Sequence, residues 1–430
     1  MNKLNYKILM IIIGMVLLLG LLGMGIMISQ REPSHKEPAS TEYFSDTEGD
    51  SLSSEHENET GGSGEQGNSG TTDKTEESEN TEETQDPGDM DDTENTEEPE
   101  DTEIPGNPPA LTEDFTMFFT GDVLLKDKVM GGYNKKGING LISEYLEQEM
   151  VSANMTMINE EFPFSTRGIP MENKKFTFRI DPKYVKVFHE MGIDVVSLAN
   201  NHALDYGDEA LIDTFATLDE AGIPYAGAGS TKARAEEAVF VEAGGRKIGV
   251  LSASRVIPVV GWNIENHQPG LFCTYSSTRM VARIKEIEQE CDFVVVYVHW
   301  GKEYQEYPEN YQRELAKKYI DAGADLVVGS HPHVPQGIEY YKGVPIVYSL
   351  GNFIFSANMV DTYAVKAIFD QNGETHLQVI PVGIAKAYTQ ELTGDKKTEF
   401  YKYLESISFG IDIDENGFVT EEISVGDSEL

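Results

Sequence analysis

Short apolar runs recur through the second part of this chain, and most end in Asp, Glu, Asn or His. Phe115 to Thr120 leads into Gly121-Asp122, and Met155 to Ile158 into Asn159-Glu160-Glu161. Val195 to Ala199 leads into Asn200-Asn201-His202, and Phe293 to Val298 into His299-Trp300-Gly301. Ala324 to Gly329 leads into Ser330-His331-Pro332-His333. Apolar runs of this length, bounded by turn-forming residues, read as buried strands. Strands are expected at 115–120, 155–158, 194–199, 247–252, 292–298, 325–329 and 344–349. Helical spacing predicts helices at 140–151, 181–191, 208–221, 277–290 and 309–321. Asp181 before Pro182, and Ser276 or Ser277, supply start signals: a side-chain oxygen can take a free N–H of the first turn. Strands alternating with helices imply α/β layering around a mainly parallel core. Later, 337–341, 344–349, 363–369 and 376–382 follow one another with few helices, which predicts a second, antiparallel sheet. The expected fold is an α/β two-sheet sandwich flanked by helices over 111–385. A C-terminal extension, 386–430, carries a short helix near 396–405.

The first 110 residues follow a different pattern. Ile8 to Ile28 is an unbroken apolar run of 21 residues, enough to span a bilayer once. Lys3 and Lys7 precede it and acidic residues follow it, so the positive-inside rule puts the N-terminus in the cytoplasm and the rest outside. A cleaved signal peptide is the competing reading, but no small-x-small site follows in Ser29 to Pro33. Residues 1–30 are therefore read as a cytoplasmic tip and a single-pass anchor in the cell membrane, with the main domain extracellular. Residues 31–110 hold 26 acidic side chains against 3 basic ones and few large apolar ones. Such a segment cannot bury enough surface to offset chain entropy and reads as a disordered, extended acidic linker.

Residues 111–430 keep a net charge of −20, which argues against nucleic acid as a partner. The two cysteines, Cys273 and Cys291, leave pairing open and suggest no metal role.

In an open parallel sheet, residues that end strands gather at the carboxyl edge, where sites form. Carboxylate, amide and imidazole at that edge are usual ligands for divalent metals. The spacing His331-x-His333 suits two ligands on one face of an extended segment. Taken singly, Asp122 also reads as a helix cap, Asn200 and Asn201 as turn residues, and His299 as a core histidine.

Six motifs occur in order: Gly121-Asp122-Val123, Asn159-Glu160-Glu161, the run Ala199 to Gly207 with Asn200-Asn201-His202, His299-Trp300-Gly301-Lys302-Glu303-Tyr304, His331-Pro332-His333-Val334, and Tyr348 to Phe353. Together they resemble the bacterial CapA-type capsule-synthesis family, associated with poly-γ-glutamate and related to the calcineurin-like metallophosphoesterases. The resemblance covers roughly 115–360. It implies a metallophosphoesterase-like fold holding one or two divalent ions, with Mn, Zn, Fe and Mg not distinguished. By that likeness Asp122 is a terminal ligand, and Glu161 takes the bridging place, with Glu160 as its substitute. Asn201, His299, His331 and His333 complete the set, and His202 is the proton donor. The chain departs from the wider superfamily at Asp122-Val123-Leu124, where Asp-x-His is usual, and in the longer bridging Glu.

Asp205, three residues after His202, is expected to orient the ring and raise its pKa, or else to cap the helix near Gly207. Arg167 and Arg179 are candidates to grip an anionic substrate, with surface ion pairing as the alternative. Glu303 is a candidate to hold a metal-bound His299 or face the substrate. Three functions follow from these readings. The first is a membrane-anchored extracellular protein of poly-γ-glutamate capsule synthesis or export, with other capsule-synthesis membrane proteins as partners. The second is a metal-dependent phosphoesterase or amide hydrolase unrelated to capsule. The third is a non-catalytic module that binds polyanions.

Overall fold

The computed structural model describes residues 114–422, apart from 244, 357–359 and 371–373. The expected anchor and acidic linker lie outside the described residues. Among the described residues, no helix is long and apolar enough to cross a membrane.

Two mixed sheets carry the domain. In the first, Phe115–Val123, Met155–Glu160, Val195–Ser197 and Tyr225–Ala226 run parallel in that order. Beyond Phe115–Val123 the sheet continues antiparallel through Thr362–Phe369, Thr375–Ala385, Phe418–Glu421 and Ile411–Ile413. In the second, four parallel strands, Val344–Ser349, Leu326–Ser330, Phe293–His299 and Arg246–Ser254, form the centre. Antiparallel Gln336–Tyr341 and Val239–Ala243 close its two edges.

The late strands therefore do not form the separate antiparallel sheet that their sequence order suggests. Val344–Ser349 lies in the parallel part of the second sheet, and Thr362–Phe369 and Thr375–Ala385 extend the first. The chain changes sheets at Leu350-Gly351, because Asn352–Ile354 already pairs with the end of Phe115–Val123. Hairpins are local and legible in a sequence; the sheet they join is decided by long-range packing.

Alternation along the strands sorts the core into layers. Met117, Phe119, Met157 and Val195 pack with Val250, Val295, Tyr297 and Val328 between the sheets. Phe118, Ile158 and Val196 turn the other way, onto Leu146, Phe188, Leu211 and Phe215. Val294, Val296 and Val327 likewise meet Met280, Ile284, Leu315 and Tyr319. The order is helix, sheet, sheet, helix. Strands buried on both faces read as continuous apolar runs, which is why they were visible in the sequence.

Several helices start at a side-chain cap. Ser143 Oγ accepts the Leu146 N–H at 3.3 Å before Glu144–Ser152. Asp181 accepts the Lys183 N–H at 3.1 Å, with Pro182 at the first turn. Ser276, rather than Ser277, takes the Thr278 N–H at 3.4 Å. Asp208–Ala221 follows Gly207 with no side-chain cap, so Asp205 does not serve as one. Helix Lys128–Lys136 was not anticipated. Asp395–Ser406 brings Phe400, Tyr401 and Leu404 into the core between the sheets, so the stretch beyond 385 shares the core of what precedes it.

The strand ends meet at one edge. Asp122 lies opposite Asn159 and Asn352, and Asn159 opposite Ser197. In the other sheet His299 lies opposite Ser330 and Ser254. Closeness at the crossing requires glycine: a Cβ on Gly121 would fall 1.8 Å from the Gly351 carbonyl oxygen. Asp122 N–H bonds that same carbonyl at 2.9 Å.

Candidate metal centre

Five side chains from both sheets converge at this edge in two overlapping sets. Glu161, His299 and His331 offer ligand atoms within 4.8 Å of one another, and so do Asp122, Glu161 and His333. Glu161 is common to both. All five are buried, Asp122, Glu161 and His299 at 0% exposure. A bare cluster of this kind is electrostatically unfinished. Asp122 Oδ2, both Glu161 oxygens and His331 Nδ1 are buried without a hydrogen-bond partner. Buried acceptors left this way cost free energy, and cations held by the two sets would satisfy them. Hard carboxylate oxygen with imidazole suits a divalent ion.

The titration of the cluster points the same way. Burial, and then the Asp122 charge, hold the Glu161 carboxyl well above its ordinary range. Burial pushes His299 well down, with His331 adding to the effect. Burial also takes His331 down to about 3, with His333 adding to it. Burial acts to lower His333 too, but the Glu161 and Asp122 carboxylates outweigh it and raise His333 to about 10. His299 and His331 are therefore neutral, as a metal ligand must be, and the His333 ring faces the acidic pair Asp122 and Glu161.

Neighbouring residues fix the geometry. Asn159 Nδ2 donates to Asp122 Oδ1 at 2.8 Å and lies 3.3 Å from His299 Nδ1. Ser330 Oγ is 3.2 Å from the same nitrogen, and Asn201 Oδ1 is 3.0 Å from His299 Nε2. Asn201 thus reaches the first set through its amide oxygen. Asn352 Oδ1 sits 2.9 Å from His333 Nδ1, and Asn352 Nδ2 donates to the His333 carbonyl at 3.3 Å. Partners of this type hold a ligating ring in one orientation.

The histidine pair does not work through an extended segment. His331 has φ 104° and His333 φ 60°, left-handed conformations that a histidine rarely adopts. Such strain persists where the surroundings over-determine it, and it aims the two rings at different sets. Their centroids are 6.0 Å apart.

His202 stands beside the sets at 7% exposure, its ring 4.5 Å from that of Phe178. Asp205 Oδ2 lies 2.7 Å from His202 Nδ1 and also accepts the Phe178 N–H at 2.7 Å. Asp205 does orient the ring, but the net pKa shift is downward. Burial dominates, and Lys174 opposes the carboxylate. Lys174 carries no signal in the sequence. Its Nζ donates to Asp205 Oδ1 and to the Asn201 carbonyl, and lies 3.1 Å from His202 Nδ1. It comes from the long connection between the second and third strands, where no periodicity marks it.

The two arginine candidates are occupied elsewhere. Arg167 pairs with Asp213 at 2.5 Å and lies 3.8 Å from Glu209. Arg179 donates to the Arg167 carbonyl at 2.6 Å and stacks on Tyr206. Both brace the connection rather than the cluster. Glu303 is exposed in the turn after Gly301, where its charge acts on Lys174. Glu160 is fully buried with both oxygens unpartnered, and it belongs to neither set. Cys273 and Cys291 are both free thiols.

The family model described as "Bacterial capsule synthesis protein PGA_cap" matches residues 116–357, which contain all the residues of the two sets. The PGA biosynthesis protein CapA of Bacillus subtilis strain 168 is 31% identical over 274 residues, 63% of this chain and 71% of its own. The capsule biosynthesis protein CapA of Bacillus anthracis is 31% identical over 306 residues, 68% and 73% of the two chains. A "probable polyglutamine synthesis accessory protein" of Mycobacterium tuberculosis strain H37Rv is 28% identical over 215 residues, 48% and 57%.

Proposed function

We propose, for a chain that belongs to the bacterial capsule synthesis protein PGA_cap family, a part in making or exporting a poly-γ-glutamate capsule through a divalent-metal centre. The observation that carries this reading is the pair of ligand sets sharing Glu161, with four buried atoms of those residues left unpartnered. Glu161, His299 and His331, joined by the Asn201 amide, would hold one ion, and Asp122, Glu161 and His333 the other. Such ions polarise a carbonyl or phosphoryl oxygen and lower the pKa of a bound water. His202 turns Nδ1 to Asp205 and keeps Nε2 for proton transfer. The proposal includes the topology read from the sequence: a single span at Ile8 to Ile28, the acidic stretch as a stalk, and the metal centre outside the cell.

Poly-γ-glutamate retained by Bacillus subtilis lacking its own CapA, and supplied with this chain, tests the reading. Wild-type sequence should restore the polymer, and the His331→Ala/His333→Ala double variant should not. Full restoration by the double variant would remove the metal centre from the function. A second reading, hydrolysis of an amide or phosphoester by the same centre, is favoured by the buried His202–Asp205 pair beside the ligand sets. Chain shortening of purified poly-γ-glutamate with added Mn²⁺, lost in His202→Ala while metal stays bound, would select it.

A further inference from the structure

The described residues contain eight arginines, and seven of them hold a carboxylate or backbone oxygen. Arg255 differs. Its guanidinium lies over the Tyr275 ring, 4.3 Å from the centroid, and 5.1 Å from that of Tyr311, with no oxygen partner among the described residues. In a domain of net charge −20 an arginine without an acid is out of pattern.

Its place gives it meaning. Arg255 follows the strand Arg246–Ser254 directly, at the edge where the ligand sets converge. Its N–H bonds the carbonyl of His299 at 2.8 Å. Tyr311, the farther of its two rings, accepts the Gly301 N–H at 2.7 Å, so the support is tied to the segment that carries His299. Two rings against a guanidinium limit its motion while leaving the edge with the N–H donors available. Arg255 is half-buried and Tyr275 is 50% exposed, so the pair lies at the surface.

We infer that Arg255 is an anion subsite at the strand end next to the segment that carries His299, taking a carboxylate of a γ-glutamyl polymer by two-point hydrogen bonding. The inference rests on the proposed function for the identity of the polymer, and on the geometry above for the subsite. Exposed apolar and aromatic side chains on the neighbouring loops suit such a chain, whose repeat alternates a carboxylate with two methylenes. Val259 and Val260 follow Arg255 on its own loop, and Tyr304 and Tyr307 follow Gly301, all exposed. Arg167 and Arg179, the arginines that the sequence offered for this task, are bound within the domain.

Calorimetric binding of a short γ-glutamyl oligomer to the full, Mn²⁺-loaded chain tests the assignment, with inorganic phosphate as a second probe. Arg255→Met keeps the aliphatic stem and removes the charge; it should weaken oligomer binding about tenfold, with metal content and melting temperature unchanged. Arg255→Lys should fall between, because an ammonium cannot grip in two-point fashion. Tyr275→Leu, which removes a supporting ring, should weaken binding in the same direction. Equal binding by Arg255→Met and the parent overturns the subsite and leaves the proposed function standing. A loss of affinity that comes with lost metal or a lower melting temperature also counts against it. If the parent ignores the oligomer yet binds phosphate in an Arg255-dependent way, the polymer reading fails and the anion subsite stands. Binding of neither probe overturns it.

Discussion

Lys174 Nζ lies 3.1 Å from His202 Nδ1, and Asp205 holds both, one through each carboxylate oxygen. A cation at that distance opposes protonation of the imidazole, and burial of the ring acts in the same sense. The arrangement is a buried acid–base group with its carboxylate partner already shared. It fits a histidine that gives up its proton readily and takes one back only when charge develops nearby.

Lys174→Gln should therefore raise the pKa of His202 toward its ordinary 6.5, since it removes a positive charge and leaves the Asp205 bond in place. Proton NMR titration of the imidazole in the full chain reads this directly. A fall, or no change, would show that the charge of Lys174 is not felt at the ring.

Metal uptake should tighten as pH rises. The acidic pair Asp122 and Glu161 raises His333 to about 10, so a cation entering beside that pair must displace the proton held there. Each proton released per ion makes affinity climb about tenfold per pH unit. Mn²⁺ titrations from about pH 6 to 8, in buffers of different ionisation enthalpy, count those protons. The metal-free protein should show the opposite slope from His333. Its raised pKa contributes stability in full below 6.5, lost as pH climbs through about 10.

Glu160→Leu should stabilise the domain. Glu160 shares its strand face with Ile158, is fully buried and has neither oxygen partnered. Burial holds its pKa well above the ordinary 4.5. The folded state thus keeps a proton that the unfolded state loses, and wild-type stability declines as pH rises above 4.5. The leucine variant lacks that decline and removes an unsatisfied group worth about 1–3 kcal/mol. Urea unfolding at pH 5 and at pH 8 should show a gain that is larger at pH 8.

Gly121→Ala should cost about 2 kcal/mol or more, because the new methyl would meet the Gly351 carbonyl and force the two strand ends apart. Metal content should fall with it, since Asp122 is bonded to that carbonyl. Denaturant midpoint and elemental analysis of the same sample check both.

Protease added to intact protoplasts should remove the folded domain and leave the first residues, the outcome expected from Lys3 and Lys7 before the span and acid after it. Full protection of the domain would reverse the proposed topology.

The strand-end residues were legible in the sequence because a strand buried on both faces leaves an unbroken apolar run with a polar terminus. Asp122, Glu161, His299, His331 and His333 all follow such runs, and all meet at one edge. Side chains brought in by irregular segments left no comparable mark. Lys174 sits in a connection without period, Asn352 just past the turn after a strand, and Arg255 just past a strand in a loop. The arginines misled for a related reason: sequence shows a charge but not the acid that satisfies it, and Asp213 lies 46 residues from Arg167. The late strands were found but put in the wrong sheet, because the turn at Leu350-Gly351 looks like any other.

The shared edge also fixes an order of events. Asp122 and Glu161 extend the first sheet, while His299, His331 and His333 extend the second, and Asn352, which steadies the last of them, comes later still. A partial chain that stops short of Asn352 lacks the side chain that steadies His333. The cluster therefore comes into being only when the strands of both sheets have been made and the two sheets have closed on each other. An ion bound there is drawn from whatever surroundings the protein has reached by then, so the place of final folding, more than the place of synthesis, selects the metal.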